Sequence, residues 1–183
     1  MSFERVGGEM AWKGRIGEVW IEQFHHDDGD VVDREVVKHP GAVVVLPFDG
    51  ERIWFVRQPR EAAGEQALLE LPAGKLDVDG EDPLTTAQRE LREEVGRSAA
   101  CWRHLTDFYA SPGFTDELIH AFLATDLRED PLDSDEQERI EVVSEPVERL
   151  DDVIRECRDS KSLVLLLWFR AFVERDQGVA PAG

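Results

Sequence analysis

Residues 71–97, LPAGKLDVDGEDPLTTAQRELREEVGR, predict a loop followed by a short acidic helix that ends at a glycine. Asp82 is a suitable N-cap residue, and Pro83 suits the first helical position. Gly96 suits the left-handed residue just past a helix C-terminus. Between these ends, apolar residues recur at helical spacing and predict one buried stripe, made of Leu84, Ala87, Leu91 and Val95.

Three glutamates lie beside this stripe. At about 100° per residue, Glu90, Glu93 and Glu94 occupy one flank of the predicted helix. Carboxylates this close repel each other, and a divalent cation is the ordinary way to hold them ionised side by side. The stretch therefore predicts a metal site with oxygen ligands.

The same residues resemble the signature of the Nudix hydrolases. That signature is Gly, five residues, Glu, seven residues, and then Arg-Glu-apolar-x-Glu-Glu-x-Gly-apolar. Two positions depart from it: six residues separate Gly74 from Glu81, and Arg97 stands at the final apolar position. A solvated charged helix face is the alternative interpretation, but it does not explain the glycines and the proline around the run. The matching positions are Gly74, Glu81, Arg89, Glu90, Leu91, Glu93, Glu94 and Gly96.

The resemblance implies an α/β (α+β) fold, the Nudix α/β/α sandwich, in which a mixed β-sheet lies between helices. An N-terminal antiparallel hairpin region (1–39) is expected to help form a homodimer. The Nudix hydrolase domain is expected at 40–176, followed by a flexible tail at 177–183. The hairpin itself is predicted from the residues, because an alternating stretch at 18–24 precedes an Asp-Asp-Gly turn.

Local patterns predict further elements of the domain. The run GAVVVLP (41–47) predicts a buried strand, and Asp49-Gly50 predicts a tight turn into a partner strand at 52–57. Residues 160–175 predict a second helix that is apolar nearly all round in its middle, and so buried. Residues 1–17 show little pattern.

Two segments resemble the ADP-ribose pyrophosphatase branch of the family: RQPR (57–60) and SPGFTDE (111–117). By this resemblance two arginines face the substrate, and a guanidinium suits bidentate phosphate binding. A solvated strand end is the alternative for both. The substrate-binding residues that the resemblance implies are Arg57, Arg60, Glu70, Glu117 and Trp20, with Phe24 as the alternative to Trp20 for stacking on adenine.

The implied reaction is hydrolysis of the diphosphate bond of a nucleoside diphosphate sugar, with ADP-ribose giving AMP and ribose 5-phosphate. The implied catalytic residues are Arg89, Glu93 and Glu136. Arg89 is expected to orient the signature carboxylates, and Glu136 to take a proton from water, with Asp135 as its competitor. Another substrate such as GDP-mannose or FAD is the alternative, as is a nucleotide-sensing module without turnover. The implied ligands of Mg²⁺, or Mn²⁺ in its place, are the Ala73 carbonyl, Glu90, Glu93, Glu94 and Glu138.

Composition sets further limits. The net charge of −19 over 183 residues argues against binding to nucleic acids or anionic membranes, because these are polyanions. A chain with this negative charge would repel a diphosphate, so metal ions and a few arginines would be needed to attract one. No apolar run is long enough to span a membrane and no signal peptide is evident, so the cytoplasm is expected. The five histidines are scattered, His120 is expected to be a packed residue, and no zinc site is expected.

Overall fold

The computed structural model describes residues 1–14, 17–132 and 139–173, which form two compact units. The first unit contains Met1–Gly41 and Phe108–Leu118, and the second contains the described parts of Ala42–Asp107 and Ile119–Gly183. The strands are β1 Phe3–Lys13, β2 Glu18–His26, β3 Val31–Lys38, β4 Ala42–Pro47, β5 Arg52–Arg60, β6 Glu65–Glu70, β7 Ala73–Lys75, β8 Arg97–Tyr109, β9 Leu118–Glu129 and β10 Glu141–Pro146. The helices are α1 Pro83–Val95, α2 Leu150–Glu156 and α3 Ser160–Trp168, with 3₁₀ turns at Glu61–Ala63 and Val147–Arg149.

The first unit is a three-stranded antiparallel sheet in the order β1-β2-β3. The predicted hairpin is confirmed as β2 and β3, joined by a turn in which Gly29 has φ +95°. Strand β1 was not predicted. Its pairing with β2 is interrupted between Arg5 and Gly7 and between Met10 and Trp12, which breaks the alternation that identifies a strand.

The second unit contains two sheets and the helices. The mixed sheet has the order β7-β4-β9-β8, in which β4 runs parallel to β9 and antiparallel to β7. The other sheet has the order β10-β5-β6 and is antiparallel. Every residue of β4 is buried, as expected for a strand covered on both faces, and it contacts both α1 and α3. The α/β sandwich predicted from the sequence is confirmed.

The predicted hairpin between β4 and β5 is wrong. The tight turn does form, since Asp49 Oδ1 accepts a hydrogen bond from the Arg52 N–H at 2.7 Å. Beyond it, one bridge between Phe48 and Ile53 joins the two stretches, and the strands then enter different sheets. A turn signal specifies where the chain reverses, but it does not specify which strands pair further along.

The second predicted helix is also only partly correct. Helix α3 ends at Trp168, and a π-helical turn follows at Phe169–Val173. Leu167 and Phe172 are 48% and 58% exposed, so the predicted burial on all sides is wrong for this face. No described helix combines the length and the apolar character needed to cross a membrane.

Candidate active site

Helix α1 forms as its end residues predict. Asp82 Oδ1 accepts a hydrogen bond from the Thr85 N–H at 2.7 Å. Gly96 has φ +72°, and its N–H donates to the Arg92 carbonyl at 3.1 Å. Of the predicted stripe, Leu84 is 37% exposed, and the other three members pack with Val43 and Phe122 in one core cluster. This packing fixes the helix against the mixed sheet.

Two of the signature glutamates lie against the backbone of β7. The Ala73 N–H donates to Glu94 Oε2 at 3.0 Å, and Glu94 is 6% exposed. A Cβ atom added to Gly74 would overlap the side chain of Glu90. Glycine is therefore required at position 74 for the Glu90 carboxylate to lie where it does.

Arg89 connects the other acidic residues of the signature. Its Nη1 donates to Glu90 Oε1 and to Glu93 Oε2, both at 2.8 Å, and its Nε lies 3.2 Å from both oxygens of Glu81. Partial burial opposes the charged form, but attraction to Glu90 and hydrogen bonds to Glu93, Glu90 and Glu81 outweigh it and raise the pKa of Arg89. The guanidinium is thus held charged among these carboxylates, and its role in orienting them for catalysis stays a prediction.

A hydrogen-bond network from α3 supports the chain just before β7. The Ser162 hydroxyl donates to Asp159 Oδ2 at 2.7 Å and accepts from the Leu71 N–H at 2.7 Å. The Pro72 carbonyl then accepts from the Val45 N–H at 2.9 Å. These bonds hold the segment 71–72 and so position the Ala73 N–H that meets Glu94.

Arg60 and Glu70 form a pair close to this cluster. Arg60 Nε and Nη2 donate to the two oxygens of Glu70 at 2.6 and 2.8 Å, and Glu70 is 1% exposed. The bonds to Glu70 raise the pKa of Arg60 against the effect of burial, and the charge of Glu94 adds to the rise. Arg60 is therefore the charge partner of the buried Glu70. The negative charge of Glu94 also acts on the Arg60 guanidinium.

The chain is similar to known proteins of one family. The NUDIX domain family matches residues 37–168. The chain belongs to the Nudix family. An ADP-ribose pyrophosphatase of Bacillus subtilis (strain 168) is 40% identical over 162 residues, covering 86% of each chain.

Two further relatives differ in their described activity. An ADP-ribose pyrophosphatase of Mycobacterium tuberculosis (strain H37Rv) is 46% identical over 128 residues, covering 69% of this chain and 61% of its own. A GDP-mannose pyrophosphatase of Escherichia coli O139:H28 is 33% identical over 153 residues, covering 76% of this chain and 79% of its own. The Nudix chain is thus a hydrolase whose relatives act on more than one nucleotide sugar.

A solved structure agrees with the fold. A crystal structure of an ADP compounds hydrolase covers 98% of this chain and 98% of its own with a TM-score of 0.85, at 21% sequence identity. The Nudix fold described above is therefore shared over nearly the whole chain.

The departures of this Nudix signature are accommodated locally. The Arg97 guanidinium lies 3.7 Å from the centre of the Trp54 ring, and Trp54 packs against the core cluster beneath α1. A cation–π contact of this kind lets an arginine occupy the apolar position. The additional residue lies in the loop before α1, where Gly80 takes a left-handed conformation at φ +86°.

The structure separates the two arginines predicted to bind substrate. On β5, Val56 belongs to the core cluster beneath α1 and pairs with Glu70. Arg57 pairs with Leu69 and therefore faces the other side of this sheet, where both line a cavity with Val153 of α2. Only Arg60 lies on the side of the Nudix helix.

Two more of the predicted substrate-binding residues belong to the first unit. Trp20 is in the first unit, where its indole N–H donates to Glu18 at 2.9 Å. Glu117 is in the same unit, with its carboxylate 3.8 Å from His39 Nδ1. Their roles stay predictions. Glu136, its competitor Asp135 and Glu138 lie outside the described residues.

A cavity in the first unit has a volume of about 720 Å³. Phe24 lines it and Trp20 does not. Phe24 also contacts the Phe3 ring edge-on, at 5.5 Å between ring centres. Of the two aromatic residues considered for stacking on adenine, Phe24 therefore borders this cavity and Trp20 does not.

Sequence reasoning missed one group of ligating side chains. His104, Asp107 and His120 each place a ligand atom within 4.8 Å of the others, and no other such group occurs in residues 1–14, 17–132 and 139–173. The glutamates of α1 are not gathered this closely. The three residues come from two strands with no local spacing pattern, so the sequence carried no signal for the group.

The signature residues nevertheless fit a divalent cation. Glu94 is buried and anchored by a backbone N–H, Glu90 lies against the bare backbone of Gly74, and all the donors are oxygens. Oxygen donors suit hard cations such as Mg²⁺. The residues present are therefore those that such an ion requires.

Replacing Gly74 with alanine tests the contact with Glu90. We expect Gly74→Ala to lower kcat by about 10-fold or more, because the new methyl group displaces the carboxylate of Glu90, a predicted metal ligand, and a small misplacement in an active site is costly. Steady-state kinetics on any turned-over nucleotide would measure it. Gly7→Ala is the matched control, since a Cβ there meets only the end of the flexible Gln23 side chain, at 3.3 Å. Equal activity of the two variants would contradict the requirement for glycine at position 74.

Proposed function

We propose that this chain hydrolyses the diphosphate bond of a nucleoside diphosphate sugar, with ADP-ribose as the lead substrate and AMP and ribose 5-phosphate as products. The observation that carries the reaction type is the set of signature glutamates held by Arg89 and by the backbone of residues 73–74. The similarity to ADP-ribose pyrophosphatases supports the choice of substrate.

Glu90, Glu94 and the Ala73 carbonyl would hold a divalent cation, with Glu93 and Glu138 as further ligands. A bound Mg²⁺, or Mn²⁺ in its place, supplies Lewis-acid polarisation of the phosphoryl oxygens and screens their charge. This chemistry resolves the conflict between a net charge of −19 and an anionic substrate, because positive charge is concentrated at the reacting group.

The protein side chains have separate roles in this proposal. Arg89 positions the signature carboxylates through its bonds to Glu90 and Glu93. Arg60, beside Glu94, contributes a guanidinium toward the phosphates while it stays bonded to Glu70. Glu136 takes the proton of the attacking water, and this assignment stays a prediction.

The test is AMP release from purified protein with ADP-ribose, with and without Mg²⁺. The panel beside it contains GDP-mannose, UDP-glucose, FAD, diadenosine polyphosphates and 8-oxo-dGTP. We expect fast, Mg²⁺-dependent turnover of ADP-ribose. Turnover of another panel member instead would contradict the substrate and keep the reaction type. No turnover of any member, with nucleotide still raising the melting temperature, would favour the nucleotide-sensing alternative.

GDP-mannose is the second candidate substrate. The observation that favours it is the 33% identity to a GDP-mannose pyrophosphatase over 76% of this chain. The ratio of kcat/KM for ADP-ribose to that for GDP-mannose decides between the two.

We also propose that the first unit mediates a homodimer. In residues 1–14 and 17–38, Glu22 is the only buried residue, and it pairs with Arg5 at 2.9 Å and Lys38 at 3.3 Å. A three-stranded sheet with almost no apolar core needs a further surface to pack against. A second copy of the chain would supply an apolar surface of the same kind, because this unit exposes large hydrophobic side chains. These are Phe3, Val6, Met10, Trp12, Val31, Tyr109 and Phe114.

Replacing Trp12 with glutamate is expected to dissociate this dimer. Trp12 is 59% exposed, and burying a carboxylate in an apolar interface is costly. Light scattering after size exclusion should give twice the chain mass of 20.8 kDa for the original protein and the single mass for Trp12→Glu. Leu167→Glu, at a 48% exposed position of α3, is the matched control and should stay dimeric. A single-chain mass for the original protein would contradict the proposal.

A further inference from the structure

Two histidines and an aspartate converge at the β8–β9 edge of the mixed sheet. His104 and Asp107 belong to β8, and His120 belongs to the neighbouring strand β9. His104 Nε2 lies 2.6 Å from Asp107 Oδ1, and His120 Nδ1 lies 2.8 Å from the same oxygen. Both imidazole rings thus direct a nitrogen at one carboxylate oxygen.

The chemistry of this group differs from that of the Nudix helix. Imidazole nitrogens suit zinc and its neighbours among the first-row transition metals, and a carboxylate is a common additional ligand. Magnesium prefers oxygen ligands in an octahedral arrangement, which the glutamates of α1 supply better. The two groups therefore select different classes of ion.

We propose that His104, Asp107 and His120 bind a divalent transition-metal ion of the Zn²⁺ class, at a site separate from the signature glutamates. Zinc–nitrogen bonds of about 2.0–2.1 Å place neighbouring tetrahedral ligand atoms about 3.3 Å apart. The two nitrogen–oxygen contacts, at 2.6 and 2.8 Å, need to lengthen by about 0.7 and 0.5 Å to admit the ion. Water completes the coordination.

The surroundings hold the ligands in place and leave them accessible. The His104 ring packs edge-on against the buried Phe122 ring, at 5.4 Å between centres and 66° between planes. His120 lies between the fully buried Ile119 and Ala121. The side chains of His104 and Asp107 are 48% and 43% exposed, and that of His120 is 21% exposed. An ion can therefore enter from solvent without a change in the fold.

The site lies near the Nudix helix without sharing its ligands. Val43 on β4 is paired with Gly74 on one side and with His120 on the other. At about 4.8 Å between neighbouring strands, the backbones of Gly74 and His120 are about 10 Å apart. Phe122 and Leu91 belong to one core cluster, so His120, two residues from Phe122 on β9, shares the sheet face covered by α1. Tests of zinc binding must therefore keep the signature glutamates occupied by another ion.

The experiment is a calorimetric titration of the full chain with Zn²⁺ in a large excess of Mg²⁺, followed by a Co²⁺ titration read by visible absorption. We expect one Zn²⁺ per chain, proton release on binding, and a Co²⁺ spectrum typical of nitrogen ligands. His104→Ala should weaken Zn²⁺ binding by about 10-fold or more. His25→Ala removes an exposed histidine of β2 and should bind as the original protein does.

A second pair of variants separates this site from the proposed hydrolase. Glu94→Gln should keep Zn²⁺ binding, because Glu94 is not a ligand here, and His104→Ala should keep its fold by circular dichroism because that side chain is half exposed. Three results would overturn the proposal: no Zn²⁺ binding by the original protein, equal binding by His104→Ala and His25→Ala, or loss of binding in Glu94→Gln with retention in His104→Ala. None of these readouts depends on turnover.

Discussion

Glu94→Gln is expected to lower kcat by about 10²–10³-fold, or about 3–4 kcal/mol of activation free energy, while the protein stays folded. The amide keeps the shape of the side chain and can still accept the Ala73 N–H bond that Glu94 Oε2 makes at 3.0 Å. It removes the negative charge from a side chain that is 6% exposed and that we propose holds the divalent cation. Single-turnover and steady-state kinetics at saturating Mg²⁺ would measure the loss.

Glu141→Gln is the matched control for this substitution, because residue 141 is an exposed glutamate of β10. It should leave kcat within about twofold, as surface substitutions away from a site usually do. Thermal unfolding of both variants checks the fold. Full activity in Glu94→Gln would contradict its assignment as a metal ligand, and unfolding of that variant alone would indicate a structural role for the charge.

Helix α1, which carries the signature, could be predicted because the residues that define its ends and its buried face are close together in the sequence. Asp82 and Gly96 mark its ends through bonds made within a few residues, and the structure shows both. The contact between Gly74 and Glu90 also follows from the signature, although only the structure shows that a side chain at 74 would overlap the carboxylate. Residues that act through their neighbours in sequence are those that sequence analysis locates best.

Strand pairing could not be predicted, because it depends on distant parts of the chain. The turn at Asp49 was correct, yet β4 pairs with β7 and β9 whereas β5 pairs with β6 and β10. For the same reason the sequence could not distinguish the two arginines predicted to bind substrate. The structure shows which face of β5 packs beneath α1: Val56 joins the core cluster there, so the adjacent Arg57 faces the other side.

The histidine–aspartate group shows the same limit. His104 and His120 are scattered in the sequence and belong to adjacent strands, so their meeting with Asp107 depends on the register of β8 and β9. His120 alone in an apolar strand resembles a packed residue. Its partner, Asp107, lies on the neighbouring strand β8, and no local sequence pattern indicates this contact.

Removing Arg60 is expected to destabilise the protein by about 3 kcal/mol, because Glu70 is then left buried without its charge partner. The value lies at the low end for such losses, since the Arg60 side chain is itself 42% exposed and water can enter the space it leaves. Urea denaturation of Arg60→Ala would measure the change. Arg57→Ala, an exposed position on the same strand, is the matched control and should change stability by less than about 0.5 kcal/mol.

Lysine variants at the same two positions test which of the two arginines binds substrate, as the sequence predicts for both. Glu94 adds to the field around Arg60, whereas Arg57 faces the opposite side of its sheet, so Arg60→Lys should lower kcat/KM by about 10-fold or more and Arg57→Lys should not. Lysine keeps the charge and so spares most of the stability, which separates the catalytic loss from unfolding. If Arg57→Lys lowers kcat/KM and Arg60→Lys does not, the assignment of faces on β5 is wrong. If both variants keep full kcat/KM, Arg60 only stabilises the fold through its bond to Glu70 and does not bind substrate.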